Sequence, residues 1–65
     1  MEFKENLKQL RMQKGLTQAQ LAEILFVSRS TIAKWENGLG LPNPESMATL
    51  EKLFDIRASE LATKE

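Results

Sequence analysis

Residues 28–38 read Ser-Arg-Ser-Thr-Ile-Ala-Lys-Trp-Glu-Asn-Gly, a stretch that opens on a good helix cap and closes on a glycine. A wheel of 3.6 residues per turn sends Ile32 and Trp35 inward and Arg29, Ser30, Ala33, Lys34 and Asn37 outward. That outward row carries chemistry suited to the floor of a DNA major groove. Arg29 can donate two hydrogen bonds to O6 and N7 of guanine, and Ser30 can donate or accept. Ala33 can touch a thymine methyl, and Lys34 can reach guanine or a phosphate. The same residue types also make an ordinary solvated helix face, so the wheel alone leaves both readings open.

Other chemistries find little support. The 65 residues contain no cysteine and no histidine. Disulfides, thiolate nucleophiles and cysteine-bearing zinc sites are therefore excluded, and the usual general base near neutral pH is missing. With no nucleophile–base pair and no metal-ligand cluster in the sequence, the expectation is a non-enzyme without metal, cofactor or evident small-molecule site. The amino-terminal stretch MEFKENLKQL is charged and has no apolar signal-peptide core. Nowhere is there a run of about 18 apolar residues, so no membrane contact is expected, and the reading is a soluble, cytoplasmic chain.

Formal net charge is zero, nine basic residues against nine acidic. Residues 1–38 hold six basic and four acidic side chains, whereas residues 39–65 hold three and five. The favourable sign for a phosphate partner thus lies in the first part, but faintly. Non-specific attraction to DNA should be low, because it scales with the number of phosphates that Lys and Arg neutralise.

The elements that must position the 28–38 stretch are helical. Apolar spacings of three and four recur along the chain and alternation with period two is never sustained. A first helix is expected from about Phe3 to Lys14, with Phe3, Leu7 and Leu10 as its buried stripe and Gly15 as a left-handed end. A second helix starts at Thr17, which forms a capping box with Gln20, while Leu16 and Leu21 make a hydrophobic staple. Leu21, Ala22 and Leu25 then face inward. Ser28 caps the third helix, and only Phe26 and Val27 remain for the turn.

Two short helices joined so tightly cross steeply, and the second projects along the surface. Gly38 stops it. Asn43 caps a fourth helix with Pro44 at its first position and Met47, Leu50 and Phe54 inward. A fifth, from about Ala58 to Ala62, docks through Ile56 and Leu61 but begins on a poor cap, Arg57.

The stretch LRMQKGLTQAQLAEILFVSRSTIAKWENG, residues 10–38, resembles the phage-repressor and Cro-type helix-turn-helix family, also called the XRE family. Leu-Arg, Gly-Leu-Thr-Gln, Leu-Ala, Val-Ser and Trp-Glu-Asn-Gly all fall on its pattern. The resemblance implies a compact, all-α, five-helix domain of the lambda-repressor type, one domain over residues 1–65 with the motif at about 17–38. It also implies a transcriptional regulator that binds double-stranded DNA sequence-specifically, with a recognition helix at about 28–37 in the major groove. A homodimer on a pseudo-palindromic operator is part of that expectation.

Carried over position by position, the family's base-contacting places are Arg29, Ser30, Ala33 and Lys34, and its phosphate-contacting places are Gln18, Ser28 and Asn37. Gln18 also stands at a helix amino end, where free amides and the helix dipole favour an anion. Arg11 and Glu36 match a family salt bridge between the first helix and the end of the third. Trp35 is expected to pack rather than stack on bases.

Three positions depart from the pattern. Phe26 fills the turn place usually held by glycine, so local strain or an altered turn is expected. Leu39 and Leu41 stand in the loop after the third helix where phosphate-gripping cations are common. Asp55 replaces a glycine before the last helix, and tolerates a left-handed backbone better than most residues. The apolar run 24–27, with Leu39 and Leu41, leaves a rival reading: a protein-interaction module on the same scaffold, docking through Ile24, Phe26, Leu39 and Leu41 with DNA binding lost or weak.

Overall fold

The computed structural model describes residues 2–62. They form α1 (Phe3–Gln13), α2 (Gln18–Leu25), α3 (Arg29–Glu36), α4 (Pro44–Phe54) and α5 (Ala58–Leu61), with no strand among the described residues. The fold is that of the lambda- and P22-repressor DNA-binding domains, as expected, and each boundary falls within one residue of the sequence reading.

Each helix donates one aliphatic side chain with no accessible surface: Leu7, Leu21, Ile32, Leu50 and Leu61. Phe3, Ala22, Leu25, Trp35 and Phe54 close around them. α3 packs on both α1 and α2, α4 packs on α2 and α5, and α5 closes against α1. Leu10, Met47 and Ile56, expected to be inward, are half-buried at the rim of this core, where Leu16 and Val27 also pack.

The helix starts follow local chemistry. Thr17 Oγ1 accepts from the Gln20 amide at 3.0 Å, and Gln20 Oε1 accepts from the Thr17 amide at 2.9 Å, completing the capping box. Ser28 Oγ accepts from the Thr31 amide, and Asn43 Oδ1 from the Ser46 amide. Ser46 itself is buried, which periodicity did not suggest; it sits in the first turn of α4, where a small side chain lets the helix amino end approach its neighbours. α5 solves its poor cap from a distance: Glu51 on α4 accepts the Ala58 amide at 2.5 Å, and Glu60 accepts that of Arg57.

The first four helices each end in one left-handed residue: Gly15 (φ 72°), Phe26 (φ 60°), Gly38 (φ 78°) and Asp55 (φ 54°). After each, an amide reaches back to a carbonyl of the last turn, as in Leu16 to Arg11, Val27 to Ala22, Leu39 to Lys34 and Ile56 to Glu51. The turn departure at Phe26 is thus met by strain rather than by a different turn: a phenylalanine adopts the conformation of a glycine.

Candidate nucleic-acid interface

α3 is an eight-residue helix, about 12 Å long at 1.5 Å per residue, comparable with the width of the major groove of B-DNA. Ile32 and Trp35 are buried and anchor its inner face. Arg29, Ser30, Lys34 and Asn37 are exposed, and Ala33 is half-buried on the same helix. The expected face exists as a surface, and Trp35 is a packing residue rather than a platform.

The amino end of α3 is held by hydroxyls. Ser28 Oγ lies 3.0 Å from Ser30 Oγ and 2.9 Å from Thr31 Oγ1, in addition to capping the Thr31 amide. At the carboxyl end, Asn37 Nδ2 donates to the Ala33 carbonyl at 2.9 Å, and Gly38 turns the chain away.

Arg11 and Glu36 form the salt bridge that the family pattern implies. Arg11 Nε donates to Glu36 Oε2 at 2.6 Å and Nη2 to Oε1 at 3.2 Å, while Nη1 donates to the Leu16 carbonyl at 2.7 Å. Their side chains are 11% and 4% exposed, so the pair is largely shielded from water and from salt screening. It joins α1 and the α1–α2 turn to the last turn of α3.

Gln18 extends this network in a way the sequence reading did not anticipate. Its Nε2 donates to Glu36 Oε1 at 3.1 Å, and its Oε1 accepts from Arg29 Nη1 at 3.2 Å. Only one orientation of the amide satisfies both partners, since the carboxylate needs a donor and the guanidinium an acceptor. Arg29 is therefore tethered, through Gln18 and Glu36, to Arg11. The signal available in the sequence was the place of both residues at the first position of consecutive helices; what it lacked was the crossing that brings those positions together.

The loop after α3 is apolar and open. Leu39 and Leu41 are each 71% exposed, and no cation replaces them. Among the described residues, no group of three His, Cys, Asp or Glu side chains is placed to hold a metal ion. No helix among those residues is long and apolar enough to cross a membrane.

With this geometry in view, a helix-turn-helix family model matches residues 7–61. The chain belongs to the XRE-type helix-turn-helix family. Among its relatives is the HTH-type transcriptional activator BcrR of Enterococcus faecalis, 54% identical over 65 residues, which are all of this chain and 32% of the activator. This chain thus spans about a third of that relative. In three dimensions it superimposes on the P22 c2 repressor solved with a synthetic operator, at a TM-score of 0.90 and 25% identity over 100% of this chain and 98% of the repressor. A second match is to hydroxypropylphosphonic acid epoxidase from S. wedmorenis, with a TM-score of 0.82 and 29% identity over 94% of this chain and 32% of the enzyme. The scaffold therefore also occurs inside an enzyme, and function must be argued from the face of α3 rather than from the fold.

Proposed function

We propose that this domain is the sequence-reading module of a transcriptional regulator, binding double-stranded DNA with α3 in the major groove. The observation that carries the reading is the outer face of α3. It shows Arg29, Ser30, Ala33 and Lys34 in groove-reading order on a helix whose other side is locked into the core.

In this reading Arg29 takes a guanine edge, Ser30 and Lys34 adjust to neighbouring bases, and Ala33 meets a thymine methyl. Ser28, Asn37 and the amino end of α2 at Gln18 lie against phosphates and fix the docking register. Gln18 does double work: its backbone faces the phosphate while its side chain holds Arg29 in place. Arg11 and Glu36 act from behind as the brace of both helices.

Two copies on a pseudo-palindromic operator complete the proposal. The domain measures 28 × 23 × 22 Å, smaller than the helical repeat of about 34 Å that separates the half-sites of such dimers, so two fit on one face of the duplex. The whole acts in the cytoplasm, where DNA is reached, whatever else a longer chain carries. The rival reading, a protein-interaction module with weak DNA binding, is favoured by Leu39 and Leu41, which are exposed in a loop where phosphate-gripping cations would serve DNA better.

The test is a selection from a random duplex pool at fixed moderate salt, run with wild type and Arg29→Ala. A two-fold symmetric motif whose guanine vanishes in the variant is the expected result. Absence of enrichment by a folded wild-type domain would transfer the assignment to the protein-interaction module.

A further inference from the structure

Phe26 is 95% exposed and sits at φ 60°, ψ 41°, between α2 and α3. Exposure on this scale means that the ring does nothing for the core, and the left-handed backbone penalises any residue with a Cβ. The equivalent positions after α1 and α3 hold glycine. A large apolar ring kept at a strained, solvent-facing position points to a contact outside the chain.

The ring forms one wall of an open hollow whose other lining includes Leu25, Val27, Asn43, Glu45 and Thr49. Glu45 is the only charged side chain in that lining, and no Lys or Arg lines it. Glu23, in the last turn of α2, adds a second exposed carboxylate three residues before Phe26. Arg29, the nearest cation along the chain, donates toward Gln18. An aromatic face beside a carboxylate repels phosphate and suits an apolar or cationic side chain.

We propose that the Phe26 hollow docks a polypeptide segment carrying a bulky apolar anchor next to Lys or Arg, at a surface separate from the reading face of α3. Charge selects this occupant over DNA. It also disfavours a second copy of the chain, because a two-fold axis through the hollow would bring Glu45 toward Glu45. The proposal stands independently of DNA reading.

The experiment pans a displayed library of random dodecapeptides against the folded domain. The best peptide is then synthesised and titrated by fluorescence anisotropy against wild type, Phe26→Asn and Glu45→Gln. Asparagine keeps the left-handed backbone accessible, so Phe26→Asn removes the ring without unfolding the turn. Enriched peptides are expected to share an aromatic or aliphatic residue adjacent to Lys or Arg. Affinity should fall about tenfold or more in Phe26→Asn, and by a smaller, salt-dependent factor in Glu45→Gln. Duplex binding should be unchanged in both. The proposal is overturned if no peptide is enriched, if the winners lack basic residues, or if Phe26→Asn binds them equally. A concentration-dependent dimer abolished by Phe26→Asn without peptide enrichment, or a loss of duplex affinity in that variant, overturns it as well, assigning the ring to a second copy or to DNA.

Discussion

Arg29 Nη1 donates to Gln18 Oε1 at 3.2 Å, from the first residue of α3 to the first residue of α2. A free arginine samples many rotamers and loses them on binding, at a cost of about 0.5–1.5 kcal/mol for an immobilised long side chain. The tether to Gln18 removes part of that cost in advance. Gln18 can hold Arg29 because Glu36 orients its amide, and Glu36 is in turn fixed by Arg11. The face that reads and the pair that braces the fold are one hydrogen-bonded chain.

Arg29→Ala should therefore weaken binding to the preferred duplex by about 1–3 kcal/mol and relax selection at one base position per half-site. Competition binding against all four bases at that position checks it. A loss equal for all four bases would place Arg29 on the phosphate backbone.

Gln18→Ala is expected to act in two ways, because its side chain holds Arg29 while its position favours a phosphate. Affinity should drop on every sequence, with an additional, smaller loss at the base read by Arg29. In a double-mutant cycle with Arg29→Ala the two losses should fail to add, as for residues that share a partner. Strict additivity would show that the tether does not survive in the complex.

The Arg11–Glu36 pair makes a different prediction, one about stability. Removing one member of a shielded pair costs about 3–5 kcal/mol, since the other is left without its counterion. A domain of this size has only a few kcal/mol to lose. Arg11→Ala should leave the domain largely unfolded at 37 °C by circular dichroism, whereas Arg11→Met with Glu36→Leu should recover much of the loss. Failure of the double variant to recover would mean that the hydrogen bonds to Leu16 and Gln18 carry more than the ion pair itself.

Salt dependence should be shallow for a DNA-binding domain. The outer face of α3 offers two exposed cations, Arg29 and Lys34, and the loop after it offers none. Four such charges per dimer give a log–log slope of about −4, and Lys34→Gln should reduce it by about 1 per affected phosphate contact. A slope several units steeper would reveal phosphate contacts by the amino-terminal lysines.

Much of the fold was legible because it is written locally. The Thr17–Gln20 box, the Ser28 and Asn43 caps and the glycines at 15 and 38 each act within one helical turn, and all are found where the sequence puts them. The reading face was legible too, since Ile32 and Trp35 fix which side of α3 points inward. What escaped was contact across elements. The Gln18 bridge, the Glu51 carboxylate that serves α5 and the buried Ser46 depend on how helices cross, which periodicity does not encode.

Phe26 offers the sharpest separation of folding from function. A non-glycine residue in the left-handed region carries about 1–2 kcal/mol of strain. Glycine removes it but has more backbone freedom to lose on folding, about 0.4–1 kcal/mol. Because the ring is almost fully exposed, no core contact is lost with it. Phe26→Gly should then stabilise the domain by roughly 0.5–1 kcal/mol, a rise of several degrees in Tm for a chain of this length. Differential scanning calorimetry of the two proteins decides the matter. A lower Tm in the glycine variant would mean that the ring packs on its own chain in solution, and that the strain at this turn is repaid by folding rather than held for a partner.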